Sequence, residues 1–530
     1  MKFFKFLVPL LCLFCCLSAC ENKVANPNTR ISLDSFEGLK SDHFALNSFR
    51  IRAEIDSCMA KDKDSLTTDY WIRRYYLNKN AFIWIDRHGL DARADTLLSW
   101  LRGVKEIGFS LRKFRVRQIE RDLARVRLLR FDSINNINVV MGRLEYDLTK
   151  GYFRYAVGQR FGFMNPKYVL NRLDPIDTTL SDDPSKIKYY QLFDIPMEHA
   201  SKRFYALALR KVARDSVTEF LREIQPANPF YKNLLHLLGR ERRKRERNLI
   251  LCNMERCRWR LRDDPQRHQK YIVVNIPSFK LDAVDGSSDL TMRVGCGTSE
   301  TKTPLLTSSI YRMDINPQWI IPKSIVKKNV ARHAGQYAYF EKKRFFIEKG
   351  NQGECVDPRL VSKDMLLSPD YSVIQEGGKG NSLGRIIFRF RNNFSIYLHD
   401  TSSKDFFSKE DRGVSHGCIR VQKPFDLAVF LLDKKDSHKI EQIRYSMSAD
   451  VSSLQHHFDD QSVTDQNEER NQRESSLDHK LYVHSVKVKP AVPLYIIYYT
   501  LYPARDGQLI RYNDIYGYDD VILRFLKNYQ

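Results

Sequence analysis

Apolar positions change their period once along this chain, and that change divides it. From about residue 35 to 258 they recur at helical spacing. In "RADTLLSWLRGVKEIG", residues 93–108, Leu97, Leu101 and Val104 share one face with Leu98 beside them, and Gly108 can end the helix. "RFYALALRKVARDSVTEFLREI", residues 203–224, repeats the type, so this half is expected to be a bundle cored by such stripes. Near Trp259 the period shortens. "KYIVVNIPSFKLDAVDG", residues 270–286, reads as strand, proline bend, strand and Asp-Gly turn. "RIIFRF" and "NFSIYLHD" continue as strands about a turn at Arg391-Asn392-Asn393, and "FDLAVFLLD" is a short helix opening after Pro424.

The predicted class is therefore α+β: a mostly helical domain over 35–258, then a β-rich domain over 259–446 with a less regular insert at about 327–384. Residues 447–480 are polar and read as a linker or loop, and 481–530 return as apolar strands about an Asp-Gly turn. His456-His457 in the linker has no patterned metal partner, and Asp514, Asp519 and Asp520 lack the order of a calcium loop. No metal and no cofactor is expected.

The N-terminus alters this picture. "MKFFKFLVPLLCLFCCLSAC" has a basic start, an apolar run from Phe6 to Leu17 too short to span a bilayer comfortably, and small residues before Cys20. Leu17-Ser18-Ala19-Cys20 resembles a bacterial lipoprotein box, which implies a signal peptide over 1–19, a lipid-bearing Cys20 and a polar tether over 20–34. An exported chain of 530 residues and net charge +23 is expected to meet the anionic cell envelope and not nucleic acid. The run "GRERRKRERN", residues 239–248, is then a solvated or basic helix face. Export also permits disulfides, but Cys58, Cys252, Cys257, Cys296 and Cys355 are irregularly spaced and no pairing can be read from them.

The densest chemistry is Ser415-His416-Gly417-Cys418-Ile419-Arg420. A thiol acts as a nucleophile only when a base removes its proton and donors meet the oxyanion it creates. His416 is two residues away, and His399 ends a predicted strand nineteen residues upstream, where a hairpin return would bring it to the thiol; His399 is the preferred base. Gly417 permits close backbone approach, so its N–H and that of Cys418 are candidate oxyanion donors. Arg420 offers a fork for a carboxylate. A partly buried cysteine beside a salt-bridged arginine would present the same residues.

His399 followed by Ser415-x-Gly417-Cys418-x-Arg420 resembles the signature of the L,D-transpeptidase catalytic domain, a histidine, a gap, then Ser/Thr-x-Gly-Cys-x-Arg. "TPLLTSSIYRMDINPQWIIPKSI" resembles that family's Asn-Pro-x-Trp-x-x-Pro segment, here Asn316, Pro317, Trp319 and Pro322. "IWIDRHGLDARADTLLSWLRGVKEIG" resembles the scaffold domain of its large periplasmic members, and "VPLYIIYYTLYPARDGQLIRYNDIYG" their closing strand pair. The glycan-binding repeat of many large members is not found. The resemblance implies a lipid-anchored periplasmic enzyme acting on peptidoglycan stem peptides: Cys418 as nucleophile, His399 as base, Gly417 and Cys418 as oxyanion donors. Tyr397, His416, Ser415 and Arg420 would place the substrate or the loop. It further implies 3→3 cross-linking with loss of terminal D-Ala, inactivation by carbapenem-type β-lactams, and as alternatives a carboxypeptidase, a wall-protein-releasing hydrolase or a non-catalytic wall-binding lipoprotein.

Overall fold

In the computed structural model, the structure describes residues 45–530 apart from 86–88, 177–186, 287–288, 351–352, 433–435, 450, 452–476 and 505. The leader, Cys20, the tether, His456-His457 and most of the 447–480 segment lie outside the described residues. The described residues form two compact units that interleave in sequence: those of 45–164, 198–260 and 519–530 belong to one, those of 165–197 and 261–518 to the other. The units are thus not simply consecutive in the chain, since 165–197 joins the β-rich unit and 519–530 the helical one.

The first unit is helical: α1 (Ser48–Lys61), α2 (Thr67–Leu77), α3 (Ala92–Arg102), α4 (Val116–Arg127), α5 (Ile137–Phe161), α6 (Lys202–Ala213), α7 (Val217–Glu223), α8 (Pro229–Arg240) and α9 (Lys244–Arg258). Leu97, Leu98, Leu101 and Val104 are all buried as their spacing predicts, but α3 stops at Arg102 and a 3-10 turn carries the chain on. The stretch 203–224 is two helices, because Asp215 takes a left-handed backbone (φ 53°) between them. The basic run at 239–248 spans the break between α8 and α9, with Arg240, Arg242, Arg243, Lys244 and Arg245 exposed. α5 is the central helix, buried almost throughout and packed by α1 to α4. Its polar residues are matched individually. Glu145 accepts from the Ile83, Trp84 and Ile85 amides and from the Tyr76 hydroxyl, and Lys150 pairs with Asp62 and Asp64. Arg154 pairs with Asp64 and Asp69. Such buried charges persist only because each finds a partner.

The second unit is built on strands: β1 (Phe193–Asp194), β2 (Lys270–Asn275), β3 (Lys280–Asp285), β4 (Leu290–Gly297), β5 (Leu305–Ile315), β6 (Trp319–Ile320), β7 (Phe345–Lys349), β8 (Glu354–Val356), β9 (Tyr371–Gln375), β10 (Ile386–Phe390), β11 (Leu398–His399), β12 (Gly413–Ser415), β13 (Ile419–Val421), β14 (Ser485–Ile497), β15 (Leu501–Pro503) and β16 (Leu509–Arg511). The large sheet runs β1-β5-β10-β11-β13-β4-β3-β2-β14, and β14 also pairs with β5. The path from β5 round to β14 therefore closes on itself, which leaves few free edges. Phe388, Leu398, Ile419 and Leu494 fill its interior at 0% exposure. β15 and β16 form the closing hairpin.

The insert is a small sheet of its own, β6-β9-β7-β8, over a core of Ile321, Val326, Val330, Phe340, Ile347, Val361, Leu366 and Val373. It begins at Trp319, ahead of the expected 327, because Trp319 and Ile320 pair with Gln375 and Ile374 of β9. Among the described residues no helix is long and apolar enough to cross a membrane.

Candidate active site

Strand alternation selects the face on which the chemistry collects. His399 of β11 is level with Ile387 of β10 on one side and Arg420 of β13 on the other. One pleat along, Tyr397 and Cys418 fall on the same face as His399 and Arg420, while Leu398 and Ile419 point into the core. The Ile419 amide bonds the Tyr397 carbonyl at 3.1 Å, which carries the register past the strand end. The turn between β10 and β11 is set by Asn392, whose Oδ1 accepts from the Phe394 and Ile396 amides. Sequence placed this turn correctly, and its consequence is that His399, not His416, stands beside the thiol's strand. His416 is exposed on the loop, near Lys328 of the insert, and burial followed by Lys328 and Arg420 lowers its pKa.

His399 is 3% exposed and its Nδ1 faces the Asp400 carbonyl at 2.5 Å. A carbonyl only accepts, so Nδ1 carries the proton and Nε2 keeps its lone pair. Burial first, then the Arg420 guanidinium, pull the imidazole pKa down to about 4 against the backbone of Asp400 and Leu383. Cys418 is half-buried; desolvation pushes its thiol up to about 11, opposed by the Tyr397 backbone and by Arg420. The resting pair is therefore neutral thiol and neutral imidazole. Arg420 lies 5.7 Å over the Phe406 ring, and its Nε is buried without a hydrogen-bond partner.

The loop that presents the thiol is fastened through its own backbone. Gly417 takes φ 111°, a conformation side chains strongly disfavour. Ser415 Oγ accepts from the Gly417 amide at 3.1 Å and donates to the Cys418 carbonyl at 2.5 Å. Of the expected oxyanion pair, the Gly417 N–H donates to Ser415 Oγ, and the Cys418 N–H has no hydrogen bond among the described residues. Thr303 Oγ1 donates to the Gly417 carbonyl at 2.9 Å and accepts from the Gly297 amide, and Thr301 Oγ1 donates to the Ser415 carbonyl at 2.8 Å. Tyr516 joins the same support by accepting from the Thr303 amide and donating to the Gly297 carbonyl.

Tyr397 is half-buried, its ring 5.9 Å from that of His399 in an edge-on arrangement. Burial and then the Cys418 thiol raise its hydroxyl well above the ordinary range, while Arg389 and the Trp319 indole of the insert pull it the other way. Arg389 lies over the same ring at 5.7 Å. Sequence reasoning singled out Cys418, His399, Tyr397, Ser415, Gly417, His416 and Arg420; the structure puts all but His416 on the sheet face or in the loop that presents the thiol, and leaves His416 exposed. It missed Asp400, Thr303, Thr301 and Arg389, which act through a carbonyl, through loop support, or from a strand two removed from the thiol. Among the described residues no group of three or more acidic, histidine or cysteine side chains could hold a metal.

Comparison with known proteins bears on both halves of the chain. Residues 70–238 match the Scaffold domain family. A protein of Haemophilus influenzae described as a "Putative L,D-transpeptidase" is 24% identical over 312 residues, covering 59% of this chain and 57% of its own length. The chain thus spans little over half of that relative. Residues 269–440, which hold Tyr397, His399, Cys418 and Arg420, match the L,D-transpeptidase catalytic domain (YkuD), so the β-rich unit carries the catalytic domain of that family.

Proposed function

We propose that this protein is a cysteine acyltransferase of the envelope that forms 3→3 cross-links between peptidoglycan stems. The observation that carries the proposal is the placing of His399 and Cys418 on one sheet face within the matched catalytic domain, with the imidazole held as the tautomer that can accept a proton. The thiol proton passes to His399 Nε2 as sulfur attacks the carbonyl at the L-centre of the third stem residue. The Cys418 amide is the donor available to the oxyanion. Collapse breaks the peptide bond to D-Ala, whose amine takes the proton back from His399. The side-chain amine of a second stem then attacks the thioester, releases Cys418 and completes the link. Arg420 favours each stage at which sulfur is anionic and opposes a lasting imidazolium. Lipidation at Cys20 would hold the chain to a membrane facing the periplasm, and the mature N-terminal peptide would then carry an acyl-glyceryl mass that Cys20→Ala loses.

The test incubates residues 21–530, wild type and Cys418→Ala, with disaccharide-tetrapeptide and reads products by mass spectrometry. A Cys418-dependent dimer joined through two third-position residues, one D-Ala lost per link, is expected. Cys418-dependent tripeptide without dimer would replace the transpeptidase by a hydrolase. A carbapenem-type β-lactam is expected to leave one acyl adduct on Cys418.

A further inference from the structure

Cross-strand register places a row of cations leading away from the thiol. Lys487 of β14 is level with Arg312 of β5, and Arg312 with Arg389 of β10. The pairing of Ile387 with His399 and of His399 with Arg420, continued one pleat, brings Arg389 level with Tyr397 and Tyr397 with Cys418. The row is thus Lys487, Arg312, Arg389, Tyr397, Cys418, one residue per strand. An acid of β5 pairs with two of its members. Asp314 accepts from Arg389 Nε at 2.6 Å and pairs with Arg312 Nε at 2.7 Å.

That contact fixes the Arg389 guanidinium by its inner edge. Its two terminal nitrogens have no hydrogen-bond partner among the described residues, and its side chain is 38% exposed. A guanidinium anchored by its Nε edge, leaning on an aromatic ring beside the nucleophile, presents its open fork to an anion. Strands lie about 4.8 Å apart, so Arg389 stands roughly 10 Å from Cys418 along the row. In a tetrapeptide stem the terminal D-Ala carboxylate is only about 4 Å from the scissile carbonyl, whereas a carboxylate at the far end of the third residue's side chain reaches about 7 Å. The long arm, extended by the arginine side chain, spans the gap; the short one stays beside Arg420.

We propose that Arg389, held by Asp314, binds the distal carboxylate of the third-residue diamino acid of the donor stem and so selects stems that carry it. This rests on the function proposed above, and binding separates the two. Cys418→Ala and Cys418→Ala/Arg389→Gln are titrated calorimetrically with tetrapeptides whose third residue is diaminopimelate or lysine, the latter lacking only that carboxylate. The diaminopimelate stem is expected to bind Cys418→Ala roughly tenfold tighter, and Arg389→Gln to erase the difference while leaving the lysine stem unchanged. A preference that survives Arg389→Gln, equal weakening of both stems, or no binding of either overturns the proposal. So does the finding that Arg389→Gln abolishes discrimination between free and amidated terminal D-Ala. Selective binding without Cys418-dependent product would instead overturn the transpeptidase and leave this subsite standing.

Discussion

His399 and Cys418 are each held in the uncharged form, so the proton must move during attack and not before it. His399 accepts only while neutral, and with its pKa drawn down to about 4 it stays neutral through the range in which an ordinary histidine charges. Acylation of Cys418 by a β-lactam should therefore keep its rate as pH falls from 7 to 5, with the acid limb near 4; a limb near 6.5 would show an exposed imidazole. Alkylation by iodoacetamide, which needs thiolate, should still be rising at pH 10 because the thiol titrates at about 11. Thr303 reports the loop's support. Thr303→Val keeps the shape but loses both the Gly417 and Gly297 contacts, about 1–2 kcal/mol at a buried site. The expected result is a roughly tenfold loss of acylation rate with little change in far-ultraviolet circular dichroism. The thiol, its histidine and the glycine were legible in the sequence because their residue types name their chemistry. Asp400 serves by its backbone, and Arg389 by cross-strand register, and neither leaves a signal in a residue type.

At the scale of elements, legibility followed periodicity. β2, β3, β10 and the buried stripe of α3 were evident because one face of each is continuously apolar. α5 carries no clean stripe, since its charged residues are buried with its apolar ones and each is matched from another element. β11 is two residues long and is ordered by its neighbours in the sheet, and the two halves of 203–224 are separated by one left-handed residue that nothing in their pattern announces. α5 also holds a titrating group. Burial raises Asp147 to about 7, against the attraction of Arg115 3.8 Å away. The unfolded carboxyl ionises near 3.8, so between about pH 4 and 7 the unfolded chain releases a proton that the folded chain keeps, and stability falls as pH rises through that window. Asp147→Asn removes this term. Relative to wild type its stability should improve between pH 5 and pH 8 by on the order of 3 kcal/mol, read from denaturant melts at the two pH values. Parallel melting curves at both would mean that Asp147 is ionised throughout.

Across the whole molecule, export would expose the cysteines to oxidation, and an oxidised Cys418 could not act. The fold answers this by alternation. Arg420 is level with Gly295, so one pleat on Ile419 faces Cys296, and Cys296 shares the core side of the sheet with Ile419. Cys296 is 0% exposed there while Cys418 is half-buried on the opposite, groove side, so two thiols on adjacent strands cannot approach in the geometry a disulfide demands. Among the described residues none of Cys58, Cys252, Cys257 and Cys355 forms a disulfide. Stability in both units then comes from packed cores and matched buried charges. Residues 21–530, unfolded in guanidinium without reductant, should titrate six thiols per chain, and Cys418→Ala five. Dithiothreitol should leave the melting midpoint of the native protein unchanged. A count of four, together with a midpoint that falls on reduction, would show a cross-link that the sheet geometry forbids for Cys418 and would move the source of stability from packing to covalent closure.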